Sequence, residues 1–191
     1  MAFTPSRFPD VTLEQLRAIM PALGASKARE YLPYLNAAMA EADITTPLRR
    51  AAFLEQLAHE SAEFLYFEEI AKGDAYEGRK DLGNTFPGDG RRYKGRGPIQ
   101  LTGRTNYRDA GAALGLDLEG DPEQAALPSV GFRTAAWYWT SHNGRDLNPL
   151  ADARDFLGIT RAINGGTNGL ADRQRYYARA LTVFGAGGSS T

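Results

Sequence analysis

A histidine, a glutamate and a serine stand together at His59-Glu60-Ser61, and nine positions beyond that glutamate comes Glu69. Further on, Gly95-Arg96-Gly97-Pro98-Ile99-Gln100-Leu101-Thr102 brings a primary amide and a hydroxyl on a glycine-rich approach. Two separated carboxylates suit cleavage of a glycosidic bond: one carboxylic acid protonates the leaving oxygen and one carboxylate activates water. Such chemistry needs no cofactor and no metal. A metal site is disfavoured independently, since His59 and His142 are the two histidines and His59-Glu60 lacks the second histidine of a zinc protease motif. No Gly-Lys-Ser/Thr marks a phosphate loop, and Gly95-x-Gly97 lacks the third glycine of a dinucleotide fingerprint. Neither histidine accompanies the glycine pattern of a nucleophile elbow.

The elements that must hold these groups read as helices. Thr46-Pro47 is a cap followed by proline at the first helical position, and predicts a helix to about Phe64. At 100° per residue, Phe53, Leu57 and Phe64 share a narrow stripe, which Leu54, Ala58, Ser61 and Leu65 widen. Glu55, Gln56, His59 and Glu63 fall opposite, as a polar face. Glu60 lies in the apolar stripe, where partial desolvation penalises its charged form, as suits a proton donor. The same spacing also fits a boundary glutamate whose head reaches water. Nine residues along one helix would turn Glu69 away from Glu60, so the two can share a cleft only if the helix ends between them. Glu68 competes with Glu69 for the second role.

Thr12-Leu13-Glu14-Gln15 reads as a capping box opening a short helix that ends near Met20-Pro21. Ser26 caps a second segment, with Pro33 kinking it or starting a new helix to about Ala42. The glycine-dense stretch 73–97 predicts loops and at most a small β-hairpin. Thr102 or Thr105 caps a helix ending near Leu114-Gly115, Asp121-Pro122 starts a short one, and Ser129 caps a longer one that carries Trp137, Tyr138 and Trp139 and ends at Asn143-Gly144. A last helix runs from about Leu170 to Phe184, closed by Gly185. No strand-period run is long enough for a substantial sheet. The expected fold class is all-α.

The 191 residues fit one domain, at a size where roughly 70% of the unfolded chain's surface can be buried without disulfides. Composition, 42% hydrophobic and 24% charged, is that of a globular protein, and cysteine is absent. A net charge of −1 does not select nucleic acid as a partner, and no stretch approaches a membrane span. The first ten residues carry no apolar signal core. Charge is unevenly spread. Arg91, Arg92, Lys94, Arg96, Arg104 and Arg108 form a basic run, and Glu55, Glu60, Glu63, Glu68 and Glu69 an acidic one. These are either solvated faces or a cleft with an acidic floor and basic rims for an anionic polymer.

The joint order of His59-Glu60-Ser61, Tyr93 to Thr102, Asn106-Tyr107, Ile163-Asn164-Gly165-Gly166 and Ala171-Asp172-Arg173 resembles glycoside hydrolase family 19, which holds chitinases and bacteriophage endolysins. The resemblance covers residues 46–184. It implies a lysozyme-like bilobal helical fold with a central cleft, one catalytic domain over residues 1–185 (1–45 its N-terminal helices) and a flexible tail at 186–191. It implies an inverting mechanism with Glu60 as general acid, Glu69 as general base and Thr102 holding the attacking water. His59, Tyr93, Gln100, Asn106 and Asn164 match sugar-contacting or cleft positions, and Arg173 matches a substrate-site arginine in the charge network around the acid. Gly103-Arg104-Thr105-Asn106-Tyr107 is similar to the endolysin branch. That implies a monomeric enzyme for the glycan strand of peptidoglycan, made in a bacterial host without a signal peptide and released to the wall, with no membrane insertion. The rival readings are a chitinase, a lytic transglycosylase working with one glutamate, and an inactive wall-binding module.

Overall fold

The structure is a computed structural model that describes residues 9–187. Among the described residues nine α-helices form: α1 (Leu13–Ile19), α2 (Ala25–Glu41), α3 (Pro47–Glu60), α4 (Asp89–Arg92), α5 (Arg104–Leu114), α6 (Pro128–Ser141), α7 (Asn148–Asp152), α8 (Phe156–Asn164) and α9 (Leu170–Val183). Short 3-10 turns at Asp74–Tyr76, Lys80–Leu82, Pro122–Ala126 and His142–Gly144 join them. Strand pairing among the described residues is limited to isolated bridges, Glu68 with Arg96 and Arg96 with Leu101. The all-α class expected from the sequence is the one that forms.

Several helix ends lie where their capping chemistry puts them. Thr12 and Gln15 make the reciprocal capping box of α1. Thr46 accepts from Arg49 N at the start of α3, with Pro47 behind it. Gly185 closes α9 in the left-handed region, at φ 66°.

Other boundaries depart from expectation. α2 runs unbroken through Pro33, and Ser26 does not cap it; Gly24 holds the cap position without a side-chain bond. Pro33 and Arg29 are exposed, so the carbonyl freed by the missing N–H reaches water and the helix continues. Neither Thr102 nor Thr105 caps α5. Its first donor, Arg104 N, goes 2.9 Å to Asn84 Oδ1, an acceptor twenty residues upstream and fully buried. Ser129 lies inside α6, which starts on Pro128. α7 and α8 have no counterpart in the periodicity read above. Of the expected tail, Ala186 and Gly187 fold back as donors to Leu181 O, at 2.8 and 3.2 Å, and residues 188–191 lie outside the described residues. Residues 1–8, with the sequence that would hold a signal, also lie outside them.

α3 is the central element. Nine consecutive residues, Arg50 to Ala58, are buried, so the helix is covered all round. Its apolar stripe meets an aromatic core in which Phe53 sets its edge to Trp139 at 5.5 Å. The face read as polar packs against α9 instead of water. Trp139 Nε1 donates 2.9 Å to Asn148 Oδ1, and Asn148 Nδ2 donates 2.9 Å to Ala42 O, which ties α6, α7 and the end of α2 together.

The helix stops at Glu60, earlier than Phe64, and the stop is abrupt. Ala62, Glu63 and Phe64 all adopt positive φ, at 50°, 60° and 62°. Each non-glycine residue there costs roughly 1–2 kcal/mol. Ser61 Oγ bridges the corner, donating 2.7 Å to Leu57 O and accepting 2.8 Å from Phe64 N. Phe64 is wholly buried, edge-on to Phe132 at 5.2 Å, and ring burial of this kind is worth about 1.5–3 kcal/mol. The reversal lets the chain double back, so that Glu69 leaves the axis that carries Glu60.

Candidate active site

Glu60 ends α3 with its side chain 23% exposed, beside a cavity of about 240 Å³ lined by Glu60, Leu82, Ile99, Gln100, Thr102, Asn106, Tyr138, Ile163 and Asn164. Five residues singled out in the sequence therefore meet here: Glu60, Gln100, Thr102, Asn106 and Asn164. A second cavity of about 610 Å³ shares Leu82, Asn106 and Tyr138 with the first and continues to Trp137 and His142. Together they form a groove that ends on aromatic rings. A larger cavity, about 870 Å³, lies around Phe86, Arg92, Arg104 and Glu119 and is lined by neither Glu60, Glu69 nor Thr102. Chemistry rather than size selects the groove.

Glu69 sits on the short ladder that residues 67–69 make with 95–97. Glu69 N donates 2.9 Å to Gly95 O, and Gly97 N donates 2.8 Å to Phe67 O. Its Oε1 accepts from Tyr76 Oη at 3.1 Å and its Oε2 from Gly95 N at 3.1 Å. Both oxygens thus serve as hydrogen-bond acceptors, which fixes the carboxyl in place. Burial and then the Glu69 charge push the Tyr76 phenol up, so it stays a donor. Gly95 is where Glu69 and Gln100 converge: a Cβ there would lie 2.8 Å from Gln100 Oε1 and 3.2 Å from Glu69 Oε2. Only glycine leaves both groups this close to one backbone. Glu68 is exposed and committed elsewhere, 3.2 Å from both Arg96 Nε and Lys94 Nζ.

Thr102 Oγ1 donates 2.8 Å to Gln100 O, which keeps its lone pairs free. Gln100 is held at φ 55° while its Nε2 donates 2.9 Å to Gly97 O. Left-handed non-glycine backbone of this kind clusters at functional sites. Asn106 Nδ2 donates 2.8 Å to Thr102 O. The Asn164 amide closes its own turn, donating 3.0 Å to Asn168 O and accepting 2.8 Å from Gly166 N.

Three residues expected to touch substrate are placed otherwise. Tyr93 is 1% exposed, tilted on Tyr107 of α5 and bonded 3.0 Å through its hydroxyl to Glu119 O, so its ring packs behind the groove and does not line it. Arg173 is also 1% exposed. It gives Nη2 to Glu60 Oε1 and Nη1 to Gln56 Oε1, so it holds the acid instead of a sugar. His59 turns to α9, with Nδ1 2.7 Å from Asp172 Oδ2 and its ring over Gly169 (φ 69°), where any Cβ would collide with it. Burial tends to raise the Asp172 carboxyl, but its bonds to His59 and Arg175 outweigh that and hold it below its ordinary range.

The basic run is not a bare rim. Arg91 pairs with Asp74 at 2.5 Å, Arg104 with Asp89 at 2.6 Å and Glu119 at 2.8 Å, and Arg108 with Asp109 at 3.1 Å. Arg92 caps Gly120 O at 2.6 Å. Each of these four arginines already has a partner within the fold.

Sequence reading missed Tyr138, Tyr76 and the buried polar pair Glu55 and Gln56. Tyr138 lines the groove with His142 stacked on it at 4.0 Å. Burial and the nearby Glu60 charge push its phenol up, while burial and Arg145 lower the His142 imidazole. No periodicity distinguishes a groove tyrosine from a core one, so α6 offered no signal. Glu55 and Gln56 are 0% exposed, so the polar side of α3 is neither a solvated face nor a cleft floor at these two positions. Burial pushes the Glu55 carboxyl well above its ordinary value, and the opposing influences of Gln56 and Arg173 do not offset it.

That shift has a stability consequence. Above about pH 4.5 the unfolded chain releases the Glu55 proton while the folded chain retains it, so folding loses up to about 1.4 kcal/mol per pH unit until the folded value is passed. Glu55→Gln removes this titration. Its melting temperature relative to wild type is expected to rise as the pH is raised above about 4.5. A gap that stays constant across that range would contradict the buried neutral acid.

Comparison with known proteins agrees with this arrangement. The family model described as chitinase class I, glycoside hydrolase family 19, matches residues 32–151. A family 19 domain-containing protein of Haemophilus influenzae is 31% identical over 180 residues, covering 78% of this chain and 86% of that protein. An Arabidopsis thaliana endochitinase is 42% identical over 118 residues, covering 61% of this chain but 39% of that protein. This chain thus spans well under half of that plant relative. Among solved structures, chitinase C of Streptomyces griseus superposes with a TM-score of 0.76 at 26% identity, covering 92% of each chain. Motif order, fold and matched span agree, and the chain belongs to glycoside hydrolase family 19.

Proposed function

We propose that this protein hydrolyses the glycan strand of bacterial peptidoglycan by a two-carboxylate inverting mechanism. The observation that carries the reading is the convergence of Glu60, Gln100 and Thr102 on one groove, with Glu69 held against Gln100 across Gly95. Glu60 gives its proton to the glycosidic oxygen as the bond to the anomeric carbon breaks. Arg173 stabilises the carboxylate left behind. Glu69 takes a proton from water, which attacks the anomeric carbon from the opposite face, and Thr102 orients that water. Protons balance: one leaves Glu60, one arrives on Glu69, and solvent restores both.

The likeness of Gly103 to Tyr107 to the endolysin branch favours peptidoglycan. Chitin is the second reading, favoured by matches to proteins described as endochitinases. Turnover of purified cell walls compared with N-acetylglucosamine oligosaccharides tests the choice. Release of muropeptides at a rate exceeding oligosaccharide cleavage is expected, and cleavage of the oligosaccharides alone would replace the first reading by the second.

Thr102→Val keeps shape and removes the hydroxyl. Orienting water matters in the transition state, so kcat is expected to fall with KM nearly unchanged. Steady-state kinetics reads this directly. A raised KM at constant kcat would make Thr102 a sugar contact only.

A further inference from the structure

We infer that Glu55 is a positioning residue for Glu60, acting through Gln56 and Arg173. This rests on Glu60 being the acid. Gln56 and Glu60 lie four residues apart on α3, one above the other, and Arg173 of α9 bridges them. A guanidinium only donates, so it needs the amide oxygen of Gln56 and would be repelled by the amide nitrogen. The amide has no intrinsic preference between its two orientations. Glu55 supplies one: Gln56 Nε2 donates to Glu55 Oε1, which fixes Gln56 Oε1 on Arg173 and thereby Arg173 on Glu60. The chain is a directed relay of donors, Arg173 to Gln56 to Glu55, with Glu60 taking the other arm of the guanidinium.

Glu55, Gln56 and Arg173 do not line the cavity beside Glu60, so their influence on turnover passes through the acid. Glu55 and Gln56 are fully buried and Arg173 is 1% exposed, which leaves water little part in substituting for a missing partner. A carboxyl is an expensive way to fill that space. Its Oε2 finds no hydrogen-bond partner among the described residues, nor does the buried hydroxyl of Tyr177 on the facing helix. Packing alone would be served better by leucine. What leucine cannot do is accept from Gln56. The charged and titratable groups around Glu55 are Gln56's partner Arg173, Asp172 and Tyr177 from α9 and Glu60 from α3 itself.

The test uses Glu55→Leu, which keeps volume and loses the acceptor, beside Glu55→Gln, which keeps an acceptor of nearly the same shape. On a glycan that the wild type cleaves, Glu55→Leu is expected to lower kcat by about 10- to 100-fold, the scale on which misplaced catalytic groups act, with KM within about twofold. Glu55→Gln is expected to recover most of that loss. Unchanged kcat in a folded Glu55→Leu variant, a loss confined to KM, or a Glu55→Gln variant no better than Glu55→Leu would overturn the inference. A reading independent of turnover is the Arg173 Nη–H signal, because Nη1 and Nη2 donate to Gln56 and Glu60 whereas Nε donates to Asn168 O. It is expected to stay protected from exchange in wild type and Glu55→Gln and to lose protection in Glu55→Leu; equal protection in all three would also overturn it. Should the wild type cleave no glycan while the resonance behaves as expected, the proposed function fails and the relay stands.

Discussion

Glu60→Gln is expected to abolish nearly all hydrolysis, by on the order of 10²–10⁴ and more where the leaving group strictly needs a proton. The amide has nearly the shape of the carboxyl and can still accept from Arg173, so the Arg173 contact survives as a neutral hydrogen bond. It cannot donate an acidic proton to the departing oxygen. The fold should be intact, because the side chain sits at a helix end and is not sealed in the core. Activity and melting temperature measured together decide the matter. Near-wild-type turnover in a folded variant would remove Glu60 from the mechanism.

The second large effect separates two neighbours. Glu69→Gln should cripple turnover on a similar scale, whereas Glu68→Gln should be mild. Glu69 is set against Gln100 and receives Tyr76 and Gly95 as donors, while Glu68 is an exposed partner of Arg96 and Lys94. Arg96 is buried but keeps Arg92 O, Tyr107 Oη and Glu123 as partners when Glu68 is neutralised, so the guanidinium stays satisfied and the site is little disturbed. A damaging Glu68→Gln with a mild Glu69→Gln would transfer the base to the adjacent residue.

The two glutamates illustrate what the sequence discloses. Capping chemistry is local, so α1, the start of α3 and the end of α9 were legible from Thr12, Thr46-Pro47 and Gly185. The requirement that α3 end between Glu60 and Glu69 followed from helix geometry alone. The manner of its ending did not, because three consecutive left-handed residues at Ala62 to Phe64 follow no propensity and depend on Phe64 finding an aromatic pocket made by distant helices. Pro33 could be read as a breaker because its exposure is a tertiary fact. Asn84 capping α5 from twenty residues away is invisible to any local pattern. The face of α3 holding Glu55 and Gln56 shows the limit most clearly. A helical wheel separates polar from apolar residues, but it does not say whether the polar side meets water or another helix. Here it meets α9, whose Arg173 and Asp172 supply the partners. Tyr93 was drawn into the groove by motif and belongs instead to its supporting wall, whereas Arg173 stands in the charge network around the acid that its motif implied.

The stereochemistry of the first product tests the two-carboxylate account most directly. An inverting enzyme keeps its carboxyls about 6.5–9.5 Å apart, with water between them, whereas a retaining one holds them at about 5–5.5 Å and forms a covalent intermediate. Proton NMR of a β-linked oligosaccharide, recorded before mutarotation, is expected to show the α-anomer first. Initial appearance of the β-anomer would contradict the mechanism assigned to Glu60 and Glu69.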